Sequence, residues 1–222
     1  MNRRELIFSS LSTPFSTSLL TNPFREFLMS HLTPREDREV MPAASNHVSP
    51  GFTGALISDG PAAEFQDAAD TFGWLVGGWA GTVQDFDPDG AVRTGEGEWW
   101  FSWVLEGRAI QDVWICPPRN KRPANKTSSS LAASNRYGTT VRWFDQKIQE
   151  WRITWINPVT GALNILAGKR NGDQLVLLGT QDGREIRWSF VDIRSGSFTW
   201  RGEERVDGRW KLSSEFKLQR VV

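Results

Sequence analysis

The sequence predicts an all-β protein: an antiparallel up-and-down barrel of about ten strands, preceded by a short N-terminal helix and a disordered N-terminal tail. Three observations support this fold class. From Trp79 onward, strand-like runs are separated by turn sequences such as Asp-Gly and Ser-Gly at short intervals. Nothing helical intervenes, and connections this short join antiparallel neighbours. Ten such strands leave two free edges unless the sheet closes, so a closed barrel is predicted, with an open, curled sheet as the alternative.

Residues 1–62 are predicted to form a flexible tail, and residues 63–222 a single barrel domain. All twelve tryptophans lie between Trp74 and Trp210, which places the folded domain there. Residues 1–28 are rich in arginine and serine, as transit peptides are; the alternatives are a disordered extension or a true start at Met29 or Met41. Residues 31–62 contain four prolines and no periodic apolar face, so they are interpreted as a linker.

A short amphipathic helix is predicted over residues 64–74. Apolar residues recur at i, i+3, i+4 and i+7 from Phe65, with acidic residues on the other face, and glycine at 73 or 77–78 ends the helix. Ten predicted strands follow: Trp79–Phe86, Ala91–Leu105, Arg108–Ile115, Thr139–Asp145, Glu150–Ile156, Leu163–Arg170, Gln174–Thr180, Glu185–Ile193, Ser197–Glu204 and Arg209–Arg220.

Turn-forming residues separate these strands. The first strand is followed by Asp87-Pro88-Asp89-Gly90, and the third runs into the one long loop, over residues 117–136. The last four strands are joined by Asp-Gly at 182–183, Ser-Gly at 195–196 and Asp-Gly at 207–208, which are typical hairpin turns.

A Gly-x-Trp motif, Gly77-Gly78-Trp79, stands at the start of the first strand. It resembles the signature of lipocalins and other calycins. That resemblance implies a lipocalin-like barrel in which a basic residue near the end of the last strand packs across the tryptophan, and Arg220 is the candidate here. A cation over an indole face is a favourable arrangement. Gly77, Trp79 and Arg220 are therefore the predicted structural signature.

Three longer segments resemble uncharacterised lipocalin-like bacterial proteins of the DUF1579 type. They are residues 75–81 (LVGGWAG), 106–114 (EGRAIQDVW) and 197–203 (SFTWRGE). This resemblance spans residues 72–222 and implies a fold but no activity. The similar ten-stranded haem barrels of the nitrobindin type hold haem through a histidine in the barrel. This chain has no histidine after His47, which leaves only Tyr137, a tail residue or Cys116, so no cofactor is predicted.

A barrel of ten strands is wide enough for a ligand cavity. In one interpretation, indole rings in this pocket bind a flat apolar body while guanidinium groups pair with a carboxylate or enolate. The ligand-binding candidates are Trp100, Trp114, Arg142, Trp155, Arg187, Trp200 and Glu203. A desolvated Asp112 or Glu98 is the candidate acid or base, with Asp112 proposed as the base and Arg108 or Arg142 as the anion holder. In the other interpretation, the charged residues form ordinary cross-strand salt bridges on the outer face.

Three functions follow from these alternatives. The first is binding of a small hydrophobic or aromatic molecule in the lumen. The second is an enzyme on the same barrel that performs acid–base chemistry, as an isomerase, cyclase or lyase. The third is a dimeric interaction module that uses an exposed, tryptophan-rich face. The sequence has no phosphate-binding loop, nucleophile elbow or His/Cys metal spacing, so no metal is predicted.

Charge and composition argue against other classes of partner. Residues 71–222 hold 21 basic and 17 acidic side chains, an interspersed excess too small for a nucleic-acid surface. No apolar run approaches the roughly 18 residues that a membrane span needs. A single cysteine without a secretory signal predicts a reducing compartment, and hence a cytoplasmic protein.

Overall fold

Ten antiparallel strands, β2 to β11, form a closed barrel in the computed structural model, which describes residues 50–122 and 136–221. The strands are β2 (Gly77–Phe86), β3 (Val92–Val104), β4 (Ala109–Cys116), β5 (Arg136–Asp145), β6 (Glu150–Asn157), β7 (Ala162–Asn171), β8 (Gln174–Gln181), β9 (Arg184–Arg194), β10 (Ser197–Val206) and β11 (Arg209–Arg220). The predicted number and order of strands are confirmed.

The barrel closes where its first and last strands meet. Strand β2 pairs with β3, and β11 pairs with β10. Strand β11 also pairs with β2, in a register that sets Phe216 opposite Val83 and Arg220 opposite Trp79. Closure pairs both edges of the ten-stranded sheet and leaves no unpaired edge. The prediction of a closed barrel is confirmed, and the open, curled sheet is excluded.

Two hairpins show why the turn sequences were informative. At the β8–β9 turn, Asp182 and Gly183 have φ angles of 51° and 78°, and at the β10–β11 turn Asp207 and Gly208 have φ angles of 50° and 74°. Positive φ at both central residues is the geometry of the type I′ turn, which Asp-Gly adopts readily and whose twist matches that of the flanking strands. These loops therefore fix the register of the strands that they join.

Residues 50–62 are folded, which differs from the expectation that the tail extends to residue 62. Helix α1 (Pro50–Leu56) leads into the two-residue strand β1 (Ile57–Ser58), whose Ile57 pairs with Val104 of β3. Strand β2 pairs with β3 only as far as Phe101, so the end of β3 offers a free edge that β1 takes. The features assigned to residues 1–49, including the transit-peptide likeness, the alternative starts and both histidines, lie outside the described residues.

The segment between β1 and β2 closes one end of the barrel. It consists of a 3₁₀ turn (Ala63–Phe65), helix α2 (Gln66–Phe72) and a second 3₁₀ turn (Gly73–Leu75), where the sequence predicted one continuous helix. Phe72 and Leu75 are fully buried, and the Trp79 indole donates a hydrogen bond of 2.6 Å to the Leu75 carbonyl. We call residues 63–75 the plug.

Aromatic side chains fill the half of the barrel that lies against the plug. Trp74 meets Phe198 edge-on at 5.3 Å between ring centroids, and Phe72 meets Trp151 in the same way at 4.9 Å. Edge-to-face contacts of this kind add to the large apolar area that each ring buries. This half of the barrel is therefore solid core, and any lumen must lie at the other end.

Candidate functional site

The end of the barrel away from the plug holds an open cavity of about 790 Å³. It is lined by inward-facing residues at the ends of the even-numbered strands and the beginnings of the odd-numbered strands. This volume falls within the range of about 300–1,000 Å³ that small-molecule sites occupy. The cavity is therefore the candidate functional site.

Three parallel aromatic rings form the floor of this cavity. Phe216 of β11 lies between Trp114 of β4 and Trp200 of β10, with centroid distances of 4.6 and 4.4 Å and interplanar angles of 11° and 22°. Trp99 meets Trp114 edge-on at 5.2 Å, and Trp188 meets Trp200 edge-on at 5.6 Å. We call these five residues the aromatic floor.

Glycines on neighbouring strands make room for two of the cavity tryptophans. A Cβ atom on Gly97 of β3 would collide with the Trp114 ring, and one on Gly138 of β5 would collide with the ring of Trp155, another cavity-lining residue. The indoles therefore lie close against the barrel wall. Larger residues at these glycines would push the rings into the space that a ligand would occupy.

One wall of the cavity carries an ion pair that crosses part of the lumen. The Arg136 guanidinium at the start of β5 donates a hydrogen bond of 2.6 Å to the Asp85 carboxylate on β2, although β3 and β4 lie between these strands. Ser214 of β11 donates a second hydrogen bond to the same carboxylate, at 2.7 Å. Arg136 also stands 5.5 Å from the Phe216 centroid, so the pair is anchored on the aromatic floor.

The opposite wall carries three amide side chains, which we call the amide cluster: Asn157 on β6, Asn164 on β7 and Gln181 on β8. Strand β7 is five strands from β2 in a ring of ten, so the cluster faces Asp85 across the lumen. The Asn164 side-chain nitrogen donates a hydrogen bond of 3.1 Å to Gln181 Oε1, and the side-chain oxygen of Asn157 accepts one of 3.0 Å from the Val159 backbone N–H.

Charged residues around the cavity balance. Three acidic side chains (Asp85, Asp87 and Glu204) and three basic ones (Arg93, Arg136 and Lys211) line it. Arg93 donates to Asp87 at 2.9 Å, and Arg136 is paired with Asp85, so two of the three cations are already neutralised by partners. The cavity therefore has no excess of either charge to attract a strongly charged ligand.

Three of the predicted ligand-binding residues line this cavity: Trp114, Trp155 and Trp200. The other four do not. Trp100 lies on the outer surface, where its indole donates to Glu98 at 2.8 Å and Arg119 stacks over its ring. Arg142 is buried in the core, where its guanidinium lies near the rings of Phe72 in the plug and Phe101 of β3.

Arg187 and Glu203 face outward and pair with each other across β9 and β10. Two hydrogen bonds of 2.6 and 2.7 Å join their side chains, and Arg187 also lies over the Trp210 ring at 4.6 Å from its centroid. For this pair, the structure shows the cross-strand salt bridge that the sequence offered as an alternative. Both residues lie on the opposite face of their strands from Trp188 and Gly202, which line the cavity.

The structure does not bring the two candidate catalytic residues together. Asp112 is 1% exposed, pairs with the equally buried Arg142 and accepts a hydrogen bond from the backbone of Thr140 at 3.2 Å. Arg108 lies in the β3–β4 turn at the plug end, where it pairs with Glu64 and Glu106 at the surface. Neither Asp112 nor Arg108 lines the cavity.

The structural signature residues meet at the plug end. The Arg220 guanidinium lies 4.2 Å from the Trp79 ring centroid, as the lipocalin resemblance implies. It also donates hydrogen bonds to the backbone oxygens of Val76 and Trp74, at 2.9 and 2.6 Å. Gly77 has a φ of 122°, which suits glycine, at the point where the plug turns into β2. Arg220 therefore ties the last strand to the plug.

Within residues 50–122 and 136–221, no group of three or more His, Cys, Asp or Glu side chains is arranged to hold a metal ion. Of the haem-ligand candidates in this part of the chain, Tyr137 faces outward and Cys116 is buried near Arg136. Burial raises the pKa of the Cys116 thiol and outweighs the positive charge of Arg136, which lowers it. The raised pKa favours the protonated thiol. In the same ranges, no helix has the length and apolar character of a membrane span.

Sequence reasoning missed most of the polar cavity residues, notably Asp85, Arg136, Asn164 and Gln181. Arg136 had been placed in the long loop, although the structure begins β5 there. The amides carry no motif. Their common signal is position: each faces inward and lies close to whichever end of its strand is remote from the plug.

No protein-family model matches the chain, and no curated protein matches it either. Among solved structures, it is similar to the crystal structure of Rv2717c from M. tuberculosis, with a TM-score of 0.52 and 14% identity over 73% of this chain and 99% of that chain. The chain has a lipocalin-like barrel fold. A second similar structure is the S-type phycobiliprotein lyase CPES from Guillardia theta, with a TM-score of 0.44 and 10% identity over 68% of this chain and 90% of that chain.

Proposed function

We propose that this lipocalin-like barrel binds a small, flat hydrophobic or aromatic molecule in its open half. The observation that carries the proposal is the aromatic floor at the bottom of a cavity of about 790 Å³. Flat apolar surface that leaves water for such a cavity contributes about 25 cal/mol per Å². Stacking or edge contacts with the floor add to this amount and favour a ring over an aliphatic chain.

The polar lining supports a ligand without net charge. The six charged residues balance in sign, and the two ion pairs on the walls already satisfy their own members. A ligand carboxylate that paired with Arg136 would have to displace Asp85 and leave that carboxylate without its partner, which is costly in a partly buried site. The third cation, Lys211, is exposed, so a pair with it gains little. The expected ligand is therefore neutral and aromatic.

Substitution of Ala162 by phenylalanine tests this proposal. Ala162 begins β7 and lines the cavity, so a phenyl ring there would occupy ligand space. Ala167 lies on the same strand with the opposite parity, facing outward, and Ala167→Phe is the matched control. We expect naphthalene, measured by equilibrium dialysis, to bind the wild type and the control equally and Ala162→Phe about tenfold or more less tightly.

Two results would overturn the proposal. If naphthalene and related neutral aromatic probes do not bind the wild type, the cavity is not a site for this class of ligand. If they bind but Ala162→Phe retains full affinity, binding takes place elsewhere on the protein. Thermal unfolding of both variants establishes that they are folded before the dialysis is interpreted.

Acid–base catalysis by Asp112 receives no support from the geometry. Its carboxylate is buried, paired with Arg142 and absent from the cavity lining, so a ligand on the aromatic floor has no direct contact with it. A general base must lie within hydrogen-bonding reach of the proton that it removes. The placement of Asp112 is that of a structural ion pair.

Three finer expectations belong to this proposal. Membership of the DUF1579 type rests on the three sequence segments alone. A cytoplasmic location rests on the single cysteine. A homodimer would use the outer face of β6 to β8, where four apolar side chains are 43–60% exposed: Ile156, Leu163, Ile165 and Leu178. This face is aliphatic, whereas the sequence suggested a tryptophan-rich surface.

A further inference from the structure

The cavity-lining residues include buried polar atoms without partners. Among the described residues, five buried side-chain nitrogen or oxygen atoms have no hydrogen-bond partner, and three of them belong to residues that line the cavity: Asn164, Trp99 and Trp114. A buried donor or acceptor without a partner costs roughly 1–3 kcal/mol. Such atoms are rare in folded proteins, and their concentration around one cavity points to a ligand that supplies the missing partners.

Asn164 is the most informative of the three. It is 2% exposed, its amide nitrogen donates to Gln181 at 3.1 Å, and its Oδ1 accepts no hydrogen bond from any described residue. Gln181, its hydrogen-bond partner on the adjacent strand β8, carries an amide nitrogen of its own. The two side chains therefore bring an unused acceptor and an amide donor group to one part of the lining of a cavity floored by aromatic rings.

We propose that the amide cluster recognises the edge of a planar heterocycle that presents an N–H group next to a carbonyl oxygen, as a lactam does. The ring N–H donates to Asn164 Oδ1, and the ring carbonyl accepts from the amide of Gln181. The aromatic floor holds the ring system itself. This inference rests on the proposed function, which it narrows from aromatic molecules in general to neutral heterocycles with a lactam-type edge.

The arrangement is selective because a side-chain amide is neutral and carries both a hydrogen-bond donor and an acceptor. A carboxylate in place of Asn164 would accept but not donate, and an arginine would donate but not accept. A site that holds unpartnered polar groups also binds a hydrocarbon of the same shape less tightly, because the hydrocarbon buries those groups without satisfying them. Discrimination between a lactam and its hydrocarbon counterpart is therefore the property to measure.

Two probes of matched shape provide that measurement: isoquinolin-1(2H)-one, which has a lactam edge, and naphthalene, which does not. We expect the wild type to bind the lactam about tenfold more tightly than naphthalene in equilibrium dialysis, the gain of one to two net hydrogen bonds. In Asn164→Leu, the ratio of lactam affinity to naphthalene affinity should fall to about one, and the affinity for naphthalene should be unchanged or raised.

Gln181→Leu provides a second variant if Asn164→Leu does not fold, because Gln181 is only partly buried and lies at the last position of β8. It should lower the preference for the lactam several-fold and leave naphthalene binding intact. Equal binding of the two probes by the wild type, or an unchanged preference in both variants, would overturn this inference and leave the proposed function standing. Binding of neither probe would overturn both.

Discussion

Substitution of Asp112 by asparagine should destabilise the protein strongly, although the change removes only a charge. Asparagine matches aspartate in size and keeps an oxygen that can accept the Thr140 backbone hydrogen bond. It leaves the Arg142 guanidinium 1% exposed with no counter-ion, between the rings of Phe72 and Phe101 at 5.7 and 5.2 Å from their centroids. Breaking a buried ion pair in this way costs about 3–5 kcal/mol.

Arg142→Met in the same chain should relieve about half of that loss. With both charges gone, the remaining cost is a buried asparagine side chain with too few partners, about 1–3 kcal/mol. Methionine keeps a long apolar side chain against Phe72 and Phe101 and fills irregular space well. The double variant should therefore be more stable than Asp112→Asn alone, a sign of coupling that two independent sites would not show.

Urea unfolding at pH 7, followed by tryptophan fluorescence, measures these differences. A loss below about 1 kcal/mol in Asp112→Asn would contradict the reasoning, as would a double variant no more stable than that single variant. Naphthalene dialysis of the double variant separates structure from function, because neither residue lines the cavity. We expect its affinity to match that of the wild type; a loss of more than about tenfold would mean that the pair takes part in binding.

Three further predictions concern the outer surface and the plug. Burial raises the pKa of Glu98, but hydrogen bonds from the side chain and backbone of Arg119 outweigh it and lower that pKa to about 2. The stabilisation by Glu98 is therefore present above about pH 4.5 and lost as the pH falls through 2, and acid unfolding of Glu98→Gln should lack this component. Arg220→Met should lower the free energy of unfolding in urea by about 1–3 kcal/mol, because two hydrogen bonds to the plug backbone are lost. Arg220→Lys should recover little of this stability, because an ammonium cannot reproduce the planar donor geometry. Sedimentation velocity tests the homodimer: Leu163→Lys should shift a dimer to monomer, and a monomeric wild type would refute the dimer.

The short connections and the number of strands predicted the barrel, but strand alternation could not tell its inside from its outside. In β3, Trp99 lines the cavity while the adjacent Trp100 lies on the outer surface against Arg119. Both faces of this strand carry tryptophan, so hydrophobicity does not choose between them. Pairing with β4 sets Trp99 opposite Trp114, so the two rings share one face of the sheet, and closure of β11 onto β2 makes that face the inside of the barrel.

The charged candidates show a different limit of the sequence. Arg142 and Arg187 are both strand arginines beside a tryptophan, yet one is fully buried and the other pairs with Glu203 on the surface. Arg142 faces inward at the height of the plug, where Asp112 lies two residues from Trp114 on the adjacent strand. The depth of a residue along the barrel axis, as well as the face of the strand, separates a core ion pair from a cavity residue.

That depth can be inferred from one feature of the sequence, the helical lead-in that ends where β2 begins. A plug attached there closes the end at which even-numbered strands begin and odd-numbered strands end. Inward-facing residues at the other ends must then surround the open lumen. Eight cavity-lining residues lie at these strand ends or within two residues of them: Asp85, Asn157, Gln181 and Glu204 near the last residues of even-numbered strands, and Arg93, Arg136, Ala162 and Lys211 near the first residues of odd-numbered ones. The amide cluster and the Asp85–Arg136 pair therefore follow from topology together with strand parity, in a chain that marks them with no motif.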